Sequence, residues 1–117
     1  MDLPLVLLNV IIIYYYLLLS IMNKLQTLQS ALEPRNDEIL NYQINIDNYT
    51  RAITKINDEH ADNPAMVEFR DGLIGMVESH KTEQLKAIII RDVIADQITE
   101  LESSSKMPRG VLRLLHK

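Results

Sequence analysis

The chain has 117 residues and carries 16 acidic against 12 basic side chains, for a formal net charge of −4. It has no Cys, no Trp, one Phe and three Gly, which excludes disulfides, thiolate nucleophiles and Cys-based metal sites and speaks against a β-sandwich or a glycine-rich phosphate loop. An acidic chain of this kind is also poorly suited to nucleic acid.

Residues 3–22 read LPLVLLNVIIIYYYLLLSIM, without one charge. A helix rising about 1.5 Å per residue makes such a run roughly 30 Å long, the thickness of a bilayer's hydrocarbon core. The run predicts a single transmembrane anchor, with Leu3, Val6, Leu8, Ile11, Tyr15, Leu18 and Met22 meeting the lipid bilayer. A cleavable signal needs a basic start and a small-x-small cleavage site; Met1-Asp2 and Ser20-Ile21-Met22-Asn23 supply neither. A core helix of a small domain would keep a polar stripe, and only Asn9 and Ser20 interrupt this run. Pro4 falls in the first turn, where its missing N–H costs nothing. Tyr14, Tyr15 and Tyr16 lie near the middle, where their hydroxyls either meet a partner helix or are tolerated by lipid. Asp2 before the run and Lys24 after it favour an outside N-terminus with the rest of the chain inside.

A seven-residue period continues out of this run. Leu18, Leu25, Leu32, Ile39, Ile46 and Ile53 form one row, and Ile21, Leu28, Arg35, Tyr42, Tyr49 and Ile56 the other. All but Arg35 are apolar, the pattern of a helix packed along one seam. Pro34 stands beside Arg35, and an interior proline costs about 3 kcal/mol. The expectation is therefore a membrane-proximal helix over 23–33 and a separate helix over 35–59, joined by a kink or short break.

Asn63 is a good N-cap and Pro64 a good first helical residue, so a further helix is predicted over 63–103. Phe69, Leu73, Met76, Ile94 and Ile98 are its expected seam residues, with Met66, Val77, Ala87, Ile88 and Ala95 on the same face and His80 and Gln84 as its polar members. Ile89 and Val93 fall on the opposite side, so the stretch KAIIIRDVI is either buried all round or turned toward a second partner. Gly72 and Gly75 permit close approach by another helix. If the chain reverses near Ala61, this helix runs back antiparallel, with Ile39 near residues 83–86 and Leu25 near 97–101. Two helices give a thin core, so self-association or docking on a larger assembly is expected.

From Lys106 the character changes: Lys106, Arg109, Arg113 and Lys117 interleave with Val111, Leu112, Leu114 and Leu115, with no acid among residues 106–117. The expectation is a basic amphipathic tail that contacts anionic headgroups or an acidic protein neighbour.

Nothing in the chain assembles a catalytic or cofactor site. Asp58-Glu59-His60-Ala61-Asp62 is the densest group of possible metal ligands, but adjacent helical residues point about 100° apart, unlike the i, i+4 pairs of zinc motifs. Asn48-Tyr49-Thr50 matches a glycosylation acceptor inside a predicted helix. The reading is all-α: one N-terminal transmembrane helix, then an antiparallel helical hairpin resembling a coiled-coil rod. The function expected is non-enzymatic, a membrane-anchored tether or scaffold that uses no cofactor, no nucleic acid and no small-molecule substrate. The layout resembles minor structural proteins of virions with an internal membrane, and small single-span subunits of respiratory or transport complexes. A membrane-remodelling factor of the phage lysis or fusion kind is the further alternative.

Overall fold

The computed structural model describes residues 3–104. They form two helices, α1 over Leu3–Glu59 and α2 over Pro64–Ser104. The expected tail contacts Lys106, Arg109, Arg113 and Lys117 lie outside the described residues.

α1 is one helix of 57 residues with Pro34 inside it, which corrects the expected division into helices over 23–33 and 35–59. The proline deprives the Ser30 carbonyl of its N–H partner. Ser30 and Pro34 share a face, and both are exposed, so the freed carbonyl lies on the solvent side and the buried side of the helix is undisturbed. Arg35, the charged member of the seam, is half-buried and donates to Glu38 at 2.9 Å.

The reversal between the helices is short. The His60 N–H closes α1 by donating to the Ile56 carbonyl at 2.8 Å, and the Asn63 N–H donates to the His60 carbonyl at 3.1 Å. Asn63 then caps α2: its Oδ1 accepts from the Ala65 and Met66 N–H groups at 3.1 and 3.4 Å. Pro64 occupies the first position of α2, which needs no donor.

The described residues divide into two compact units. Leu32–Val93 is a helical hairpin. In it the rows Leu32, Ile39, Ile46, Ile53 and Arg35, Tyr42, Tyr49, Ile56 of α1 are all buried or half-buried. The facing row of α2 has the same seven-residue period: Met66, Arg70, Leu73, Val77, His80, Gln84, Ala87 and Arg91, again all buried or half-buried. Ala87 is the most enclosed, at 2% exposure. The other unit joins the residues up to Ala31 with those from Ile94 onward. There Leu18, Ile21, Leu25, Leu28, Ile94, Ala95 and Leu101 are half-buried and Ile98 is buried. Lys24, Gln97, Glu100 and Leu101 line one groove.

Candidate functional site

Three surfaces are available for function: the apolar end of α1, the seam of the hairpin, and the outward faces of its two helices.

The apolar end of α1 is long and apolar enough to cross a membrane, by length and composition, with a mean hydropathy of 2.4 over its most apolar window and none of that window buried. Leu3 begins the helix, Val6, Leu8, Ile11, Tyr15 and Met22 are exposed, and Leu18 is half-buried. Tyr15 and Tyr16 meet edge to face at 6.4 Å, a favourable aromatic geometry. Asn9, Ser20 and the three tyrosine hydroxyls make no side-chain hydrogen bond among the described residues.

The seam of the hairpin is fixed by polar contacts as well as by apolar packing. Gln84 Nε2 donates to the Ile39 carbonyl at 3.2 Å and to Gln43 Oε1 at 2.9 Å. The expected level of Ile39 with residues 83–86 is therefore met. Nearer the reversal, Arg70 Nη1 donates to Asn57 Oδ1 at 2.9 Å. Between these two points His80 lies against both seam tyrosines: its ring stacks on Tyr49 with centroids 5.5 Å apart and tilts against Tyr42 at 5.7 Å. The acceptor-like Asn48-Tyr49-Thr50 thus lies within α1, with Tyr49 on the seam and Thr50 Oγ1 donating to the Ile46 carbonyl at 2.7 Å.

One assignment made from sequence is corrected here. Phe69 and Met76 stand 55% and 44% exposed rather than on the seam. The working row passes one residue later, through Arg70 and Val77. The stem of Arg70 packs while its guanidinium reaches Asn57 and Asp71, as long cationic side chains do at interfaces. Of the two readings open for KAIIIRDVI, burial all round is excluded, because Ile89, Ile90 and Val93 are exposed. Leu73 is buried, and with Ile94 and Ile98 it belongs to the packed row. Sequence reasoning missed the outer apolar residues Leu40, Ile44 and Leu85; the i, i+4 spacing of Leu40 and Ile44, out of phase with the seam, was the available signal.

The reversal holds the acidic group and His60, whose Nε2 lies 3.9 Å from Glu59. Among the described residues no group of three or more His, Asp or Glu side chains is placed to hold a metal ion. Neither Gly72 nor Gly75 is approached by α1: a Cβ added at either would meet nothing within 4 Å. Glu83 lies 2.9 Å from Lys86, and its hydrogen bond and charge hold the lysine above its ordinary pKa.

No family model, curated protein or solved structure matches this chain.

Proposed function

We propose that this chain is a non-enzymatic structural protein, a membrane-anchored tether or scaffold that links a bilayer to a protein layer or complex. The observation that carries the proposal is the apolar end of α1, whose most apolar window has no buried residue, continuous in one helix with the hairpin. Left in water, a contiguous apolar surface of this size is a strong liability; in a bilayer it is the ordinary surface of a spanning helix, with every backbone group bonded within the segment. The hairpin is the second half of the device. Its seam is closed by its own two helices in coiled-coil fashion, so outside partners meet its outward faces. The basic tail from Lys106 adds a contact to anionic headgroups or an acidic neighbour. On this reading the N-terminus lies outside and the hairpin inside, from the balance of Asp2 and Lys24. A minor structural protein of a membrane-containing virion has this layout, as does a single-span subunit of a cellular membrane complex.

One observation favours a second reading. Fusion and lysis factors place a long unbroken helix after their span, and α1 runs unbroken through Pro34. Photo-cross-linking from Phe69 and Met76 in the full-length chain, in its native membrane, separates the two. A constant set of protein neighbours from one assembly supports the tether. Neighbours that exchange as the membrane fuses or ruptures would replace it with the remodelling factor, and an absence of protein neighbours would overturn both.

A further inference from the structure

The unit that joins the residues up to Ala31 with those from Ile94 onward brings the end of α2 beside the end of the apolar run. Lys24, the first charge after that run, lines one groove with Gln97, Glu100 and Leu101 of α2. On α1 the residues from Pro4 to Leu17 are exposed, and the half-buried row begins with Leu18 and Ile21. α2 runs antiparallel to α1 and continues past Leu101 to Ser104, which carries it toward Met22 by about 4.5 Å of helix rise. Each headgroup layer adds roughly 5–7 Å to the hydrocarbon core of a bilayer. With the apolar run set across that core, α2 therefore ends within the headgroup layer, and the chain beyond Ser104 starts there.

The sequence beyond that point has the chemistry such a layer binds. Residues 106–117 hold Lys106, Arg109, Arg113 and Lys117 and no acid. At the helical interval of about 100° per residue, Met107, Val111, Leu112, Leu114 and Leu115 fall in one half of the circle and the four cations in the other. A basic segment divided in this way lies in the plane of an anionic membrane surface, its apolar face in the acyl boundary. The end of α2 selects the leaflet over an acidic protein neighbour. Lys106 stands two residues past Ser104, within about 7 Å of it, so the first cation falls among the headgroups.

We propose that residues 106–117 make a second membrane contact, lying along the anionic surface of the leaflet from which α1 emerges. The cations meet the lipid phosphates, and the apolar half rests on the acyl chains. The chain is then held at two points, by a span that any bilayer satisfies and by a tail that responds to the charge of one leaflet. The contact rests on the proposed function, since only a spanning apolar run sets the end of α2 at this depth.

The natural chain has no cysteine, so a single fluorophore is placed at Leu114→Cys in one preparation and at Ile11→Cys in another. Each full-length chain is reconstituted in vesicles of phosphatidylcholine, with or without phosphatidylserine, that carry a phospholipid with a quenching nitroxide on its acyl chain. The Ile11 label should be quenched in both kinds of vesicle. The Leu114 label should be quenched strongly with phosphatidylserine and weakly without it. Lys106→Gln, Arg109→Gln, Arg113→Gln and Lys117→Gln combined should abolish that difference. Circular dichroism of each variant guards against misfolding as the cause of a loss. A quenched Ile11 label beside an unquenched Leu114 label in the anionic vesicles would overturn the tail contact, leave the anchor standing and point to an acidic protein neighbour instead. Quenching at Leu114 that ignores both phosphatidylserine and the Gln substitutions would overturn the role given to the cations. An unquenched Ile11 label would overturn the anchor and the tail contact together.

Discussion

At the scale of single residues, the hairpin depends on a few enclosed apolar side chains rather than on a deep core. Ile46 and Ile56 on α1 and Leu73, Val77 and Ala87 on α2 are its buried apolar members, and each large one contributes about 1.5–3 kcal/mol by leaving water. Ile46→Ala should therefore destabilise the hairpin by about 2 kcal/mol, the lower end for such truncations because only one helix covers the site. Thermal unfolding followed by circular dichroism checks this, and an unchanged midpoint would contradict the packing described. Asn63→Ala should cost about 1 kcal/mol through the lost cap, while Asn63→Asp, which keeps the acceptor, should be nearly neutral. Both changes leave the seam untouched, so any difference between them reports the cap alone.

At the scale of the helices, the two differed in how plainly their sequences announced them. The α1 rows were legible because only Arg35 interrupts an apolar series. The α2 row has the same period, but Arg70, His80, Gln84 and Arg91 occupy it; Arg70 bonds to Asn57, Gln84 to Ile39 and Gln43, and Arg91 to Asp92, while the His80 ring packs against Tyr42 and Tyr49. A search for apolar residues accordingly favoured Phe69 and Met76, one step off. Pro34 misled in the other direction: a local rule foretold a break, whereas the proline lies on the exposed face of a helix packed on its opposite side. Pro34→Ala should then raise the stability of α1, by at most about 3 kcal/mol, seen as a higher unfolding midpoint; a fall would mean that the proline is required where it stands. Gly72→Ala should likewise raise the midpoint, by about 0.5–1 kcal/mol, because the added methyl meets no atom within 4 Å.

At the scale of the whole molecule, the chain presents more apolar surface than its own two helices cover, at the end of α1 and along the outer edges of the hairpin. The first of these surfaces was plain in the sequence, since twenty residues without a charge need no partner to be noticed. The second was not: Leu40, Ile44 and Leu85 stand off the apolar rows, and only the packing of the hairpin shows that its own helices leave them exposed. What the apolar end does is the claim on which the account turns, and alkaline carbonate extraction of membranes holding the full-length chain measures it most directly. The chain should stay in the membrane pellet, and it should pass to the supernatant when Ile11 and Ile12 are both replaced by Lys. Release of the unaltered chain into the supernatant would contradict the anchor and the tether built on it.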